Sequence, residues 1–187
     1  RDSVHGVYIN SGADNNTIRD CEIVNTGAGV TVNGRQNKIT GCYIHDLRLI
    51  VNTQGGDDDY GANGVILYAA PNEVSYNRFV NCKANSYDYG KDGGAVEFWA
   101  GKGTLDGGSV HHNYATNSDG FAEIGSSGGT VKNMTIAYNV VVNNAWLLQV
   151  SLGGTYGTNI SNIKLENNTV VNMVPHDGWG STSRSEE

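Results

Sequence analysis

Basic residues are scarce in this chain. Twelve lysines and arginines stand against 19 aspartates and glutamates, a net charge of −7 in 187 residues, and the pI is about 5.1. The few cations form no cluster, which argues against nucleic acid as a partner, because its binding rests on a basic surface. The same balance repels a polyanionic glycan unless a bound cation reverses the local field. No apolar run approaches the ~18 residues of a membrane-spanning helix, so no membrane partner is expected. No signal-peptide pattern is found either, but a mature or excised secreted piece would also lack one. Cys21, Cys42 and Cys82 make neither a disulfide framework nor a metal motif and read as small buried hydrophobes. Proline occurs twice, and only 17% of residues are charged.

What is abundant is glycine, with 26 copies, and asparagine in every segment. Such a composition signals either disorder or a fold with many tight turns, and the regular recurrence of β-branched residues argues for the second. Six segments align without gaps: residues 17–25, 38–46, 73–81, 109–117, 135–143 and 164–172. Their second position is aliphatic throughout (Ile18, Ile39, Val74, Val110, Ile136, Leu165). The fifth reads Cys21, Cys42, Asn77, Asn113, Asn139, Asn168, the seventh is apolar, and the ninth is asparagine or aspartate. A strand precedes each segment, visible as GVYIN (6–10), GVTVN (29–33), GVILY (64–68), GAVEFW (94–99), GFAEIG (120–125) and LLQVS (147–151). Strands this short bury no face alone, so successive coils must stack and share a core. Parallel stacking sets equivalent residues about 4.8 Å apart and makes six coils roughly 29 Å tall. Asparagines in one column can then pair their amides with the copies above and below.

The pattern resembles the right-handed parallel β-helix family of pectate lyases, polygalacturonases, alginate lyases and mannuronan epimerases, from residue 6 to about 173. The resemblance implies an all-β solenoid of about six coils in a single domain, with residues 174–187, including Trp179, as an irregular tail. It also implies work on an extracellular polysaccharide, and so a secreted or cell-surface location. No catalytic motif of the family carries over, and one fold hosts many functions. Neither end shows a cap, so the chain is expected to be part of a longer protein or to self-associate end to end.

Insertions in a solenoid mark its working face. The longest connections, 47–63 and 82–93, leave adjacent coils at the same corner and should build one wall beside the GVxxx sheet; loops of this length tend to be functional. They carry Asp57, Asp58, Asp59 and Tyr60, then Lys83, Tyr87, Asp88, Tyr89, Lys91 and Asp92. Alternation along the strands turns Val7, Val30, Val65, Val96, Ala122 and Leu148 inward. Tyr8, Thr31, Ile66, Glu97, Glu123 and Gln149 then point outward, followed by an outward column with Tyr68 and Trp99. Glu97 and Glu123 become stacked neighbours, with Asp92 and Asp119 just ahead of the same strands. Like charges this close raise a pKa or demand a cation. Asp92, Asp119, Glu97 and Glu123 are therefore candidate ligands for Ca²⁺, which takes several oxygen ligands.

Tyr68 and Trp99, extended by Tyr60, Tyr87, Tyr89 and Arg48, offer a surface for sugar rings. Two kinds of function follow. An enzyme would use Glu97 and Glu123 as an acid and base pair in hydrolysis, or Lys83, Lys91 or Arg48 as the base of a lyase. A non-catalytic module would bind glycan through the aromatics alone, and a filament-forming surface protein remains a third option. His111 and His112, on another side of the stack, read as structural or solvated, one of them packing inward. His45 opens the longest loop and is placed to reach the wall. The four sequons give no information about compartment.

Overall fold

A computed structural model describes residues 4–150 and 159–175. The described residues form no helix, and the principal elements are three six-stranded parallel sheets. The first sheet stacks His5–Ile9, Ala28–Val32, Asn63–Leu67, Gly94–Trp99, Ala122–Gly125 and Leu148–Val150, in that order. The chain visits the three sheets in a fixed cyclic order, six times. That is the arrangement expected of a parallel β-helix.

Each nine-residue repeat holds two strands rather than one. Thr17–Arg19 and Glu22–Val24, for instance, lie in different sheets, so a pass has three strands where two were expected. The reason is a left-handed residue at the fourth position of every repeat. Asp20, Gly41, Tyr76, His112, Tyr138 and Asn167 have φ between 53° and 67° and turn the chain through a corner. The ninth position does the same, with φ of 51–57° at Asn25, Asp46, Asn81, Asn117, Asn143 and Asn172. Asparagine and aspartate tolerate this region better than other side chains, which accounts for their recurrence in that column.

The fifth-position asparagines form the expected ladder inside the stack. Asn77 Nδ2 donates to Asn113 Oδ1, Asn113 Nδ2 to Asn139 Oδ1, and Asn139 Nδ2 to Asn168 Oδ1, each at 3.0 Å. Every one of these oxygens also accepts the backbone N–H of the residue one pass earlier, and the amides reach back to Ile39, Val74, Val110 and Ile136 carbonyls. Buried corner backbone is thus satisfied by side chains wherever the sheet ladders stop. Around this spine the columns Ile39–Val74–Val110–Ile136 and Ile44–Phe79–Ala115–Val141 are fully buried. Cys42 and Cys82 fill the core as expected, but Cys21 is exposed, because it lies in the first pass.

Both long connections contain an antiparallel hairpin. Leu49–Val51 pairs with Tyr60–Gly61, and Ala84–Ser86 with Gly90–Asp92. A short fourth parallel sheet, Thr104–Asp106, Thr130–Lys132 and Asn159–Ser161, lines another corner. Ser151 and the tail with Trp179 lie outside the described residues.

Candidate functional site

The registers place one column along the first sheet as Tyr8, Thr31, Ile66, Glu97, Glu123, Gln149. Phe98 and Ile124 turn back into the core. This is the alternation read from the strands, with one difference. Thr31 and Ile66 are 1% and 0% exposed, so the outer face of the sheet, open at Tyr8, is covered at those two rungs and opens again from Glu97 onward. Glu97 and Glu123 are half-buried, at the floor of a cleft of ≈ 480 Å³.

The two hairpins form one wall of that cleft because two carboxylates and an amide suture them. Asp59, 4% exposed, accepts from Thr53 N–H at 2.6 Å on Oδ1. On Oδ2 it accepts from Ser86 Oγ at 2.7 Å, Tyr87 N–H at 2.8 Å and Asp88 N–H at 3.1 Å. Asp88 answers by accepting from the Asp58 and Asp59 N–H groups, and Asn52 Nδ2 donates to Asn85 O. Burial alone would raise the Asp59 pKa, but the bonds from Ser86 and the backbone outweigh it and hold the group below its ordinary value.

Aromatic rings line the cleft from three sides. Tyr68 and Trp99 come from the sheet, Tyr60 and Tyr89 from the hairpins, and Trp146 from the connection before the last strand. Burial, then Glu97, pushes the Tyr68 hydroxyl up to about 12. Burial, then a hydrogen bond with Asp57, raises that of Tyr89. Trp146 can lie here because residue 120 is glycine. A Cβ there would sit 1.9 Å from the indole Nε1.

Against this frame the carboxyls converge. Burial, then the carboxylates of Glu123 and Asp92, pushes Glu97 well above its ordinary pKa, and its Oε2 accepts from Asn63 Nδ2 at 2.7 Å. Burial, then Asp119, raises Glu123 to about 7. Asp92 reaches about 7 through burial, opposed by the Gly93 N–H and reinforced by Glu123, Asp119 and Asp59. Carboxyls tuned to neutrality can hold or release a proton at physiological pH, the requirement for general acid or base work.

Of the residues singled out in the sequence, Glu97, Glu123, Asp92, Asp119, Tyr68, Trp99, Tyr60, Tyr89 and Lys91 line this one cleft. Lys83, Tyr87 and Arg48 do not. Tyr87 is 67% exposed, and its backbone N–H donates to Asp59 and Asn52. Arg48 is exposed where the first hairpin begins. His45 stacks on Tyr43 and bonds to Asp46 and Glu22, away from the wall, because it belongs to the third sheet. Neither His111 nor His112 packs inward. His112 stacks between Tyr76 and Tyr138, and His111 meets Glu73, an acid within reach that its own column does not contain.

Trp146 and Asn63 are the lining residues the sequence left unmarked. Asn63 had a visible signal, its place in the strand columns. Among the described residues, the group with ligand atoms within 4.8 Å of one another is Asp58, Asp59 and Asp88. These three can hold a metal ion, whereas the expectation fell on the quartet around Glu97 and Glu123. No protein-family model, curated protein or solved structure matches this chain.

Proposed function

We propose that the cleft binds and cleaves an extracellular polysaccharide, with sugar rings stacked on Tyr68, Trp99 and Trp146 and with Glu97 and Glu123 as the carboxyl pair, one the nucleophile and the other the acid and base. The observation that carries this reading is the meeting of near-neutral carboxyls with five aromatic rings in one cleft, under a wall made by the two largest insertions. Aromatic faces supply flat apolar area with a polar edge, the surface a pyranose ring requires. Rungs about 4.8 Å apart suit the ~5–5.5 Å carboxyl separation of retaining glycoside hydrolysis. Such chemistry fits a right-handed parallel β-helix of the polysaccharide-processing kind and a secreted or surface-bound protein.

A lyase or epimerase acting on uronates has less support in the lining. Lys91 is the one cation there, and it already donates to Asn85 Oδ1 at 3.1 Å. That route calls for a cation to offset the acidic field, with Ca²⁺ at the Asp58, Asp59 and Asp88 group as the available candidate. Non-catalytic binding is the second reading, and the bond from Asn63 to Glu97 favours it, since it gives one carboxyl a structural task. Reducing-end release from a polysaccharide panel, with and without chelator, tests the proposal. Product formation is expected, and Glu97→Gln and Glu123→Gln should each abolish it while leaving uncharged glycans bound. Unsaturated products would assign a lyase instead, and tight binding without products would assign a module.

A further inference from the structure

The lining of the cleft is charged almost entirely with one sign. Seven carboxyl groups and a single ammonium, Lys91, face the same space. One carboxyl is conspicuous for its company. Glu123 lies at the floor between Glu97 and Gln149 on neighbouring strands, and among the described residues nothing donates a hydrogen bond to it. The group that shapes its ionisation from outside is a like charge, Asp119, itself 7% exposed. Glu97 beside it receives one bond, from Asn63, and Asp92 one, from the N–H of Gly93. A half-buried carboxyl without a donor, among like charges, carries a cost. It is stabilised either by keeping its proton or by a ligand that brings a donor and a positive charge.

Resting on the polysaccharide reading, we infer that the ligand is an amine-bearing glycan, a polymer of amino sugars whose protonated amino group docks at Glu123 between Glu97 and Asp119. Three features of the lining agree on this. The aromatic rings take the faces of the sugars, as they would for any glycan. The acidic floor then discriminates among glycans by charge: ammonium is attracted, a neutral acetamido group gains nothing from the field, and a uronate is repelled. An ammonium also supplies the donors that the Glu123 carboxylate lacks, in a half-buried site where charge-assisted bonds are stronger than in open water. The flanking charges act in the same direction from every element around the site. Asp59 stands on the hairpin wall, Asp92 at the end of the second hairpin, Asp119 ahead of the fifth rung, and only Lys91 opposes them.

Calorimetric titration of the intact protein with glucosamine oligomers, their N-acetylated counterparts and oligouronates of equal length, at about pH 7, decides the matter. The amine-bearing oligomer is expected to bind at least roughly tenfold more tightly than the acetylated one, and its advantage should shrink as salt is added. Glu123→Gln should remove that advantage and leave the acetylated oligomer bound as before. A Lys91→Ala variant, which leaves the acidic floor untouched, should increase the preference. Equal affinity for the amine and acetylated oligomers would overturn the charge selection while leaving the polysaccharide reading standing. Preference for the uronate, lost on adding chelator, would overturn it in favour of a cation-bridged polyanion. Failure of all three to bind, in a folded protein, would instead bring down the polysaccharide reading itself.

Discussion

Asn113 shows how much one side chain carries in this molecule. Its oxygen accepts from both the N–H and the amide of Asn77, and its own amide reaches Val74 O, His111 O and Asn139 Oδ1. Asn113→Ala strands several buried groups at roughly 1–3 kcal/mol each, so a loss of about 2–5 kcal/mol is expected, measured by equilibrium urea unfolding. A loss under about 1 kcal/mol would mean that water replaces the amide. Glu123 behaves in the opposite sense. Its raised pKa means that ionisation opposes folding at neutral pH, so Glu123→Gln should raise the melting temperature at about pH 8. A gain of at least roughly 2–4 °C corresponds to ~1 kcal/mol in a domain of this size. Stabilisation joined to loss of function is the signature of a residue kept for its chemistry; a lowered melting temperature would assign Glu123 a structural task.

The two hairpins pose a question about local rather than global stability. Their strands reach the buried columns through Leu49 and Ala84, and their mutual hold rests chiefly on Asp59, which takes the largest share of the bonds between them. Asp59→Ala should therefore open both to protease within residues 52–59 and 86–90, while the unfolding midpoint of the stack changes little, since such elements open independently. Glycan binding should fall with it. Coincident loss of the global midpoint would show instead that the wall belongs to the cooperative core. The position of this wall was legible from insertion length, because lengthened connections in a repeat keep their place at one corner. The hairpins within it were not, since neither insertion has a clean two-residue period: GGDDD and SYDYG interrupt the alternation. Trp146 was hidden for a related reason. It sits in a short connection, and what brings it to the cleft is the missing side chain at Gly120 on the rung before.

For the molecule as a whole, pH is the sharpest probe. Glu97, Glu123 and Asp92 all have folded-state pKa values above their ordinary ones. Between the ordinary carboxylate range and about 7, where Glu123 and Asp92 titrate in the folded state, the folded state binds more protons than the unfolded. Stability must therefore fall as pH rises through that window. The carboxyls shifted the other way, Asp46, Asp59, Glu73 and Asp106, lose their contribution only as pH drops below the ordinary carboxylate range; within the window His5, lowered by burial, opposes the trend, and His45, raised by its bond to Asp46, adds to it. Urea midpoints are expected to be higher at about pH 5 than at about pH 8, and the difference should shrink in Glu97→Gln and Glu123→Gln. A flat profile would show that the cleft carboxyls are well solvated.

Much of this architecture is written in the chain as a period. Each column residue recurs at a fixed place in the repeat, and strand alternation has a period of two, so Ile39 over Val74, Asn77 over Asn113 and Glu97 over Glu123 follow from alignment alone. The corner within each nine-residue repeat was less visible, because left-handed geometry at Tyr76, His112 and Tyr138 is imposed by the stack on residues with little preference for it. The outer face of the first sheet was decided in space. Ile66 and Glu97 occupy one column, yet one is sealed and the other opens into the cleft. The wall beside Glu97 is built by hairpins that pack by irregular hydrogen bonds between residues about thirty positions apart, and no local pattern encodes that packing.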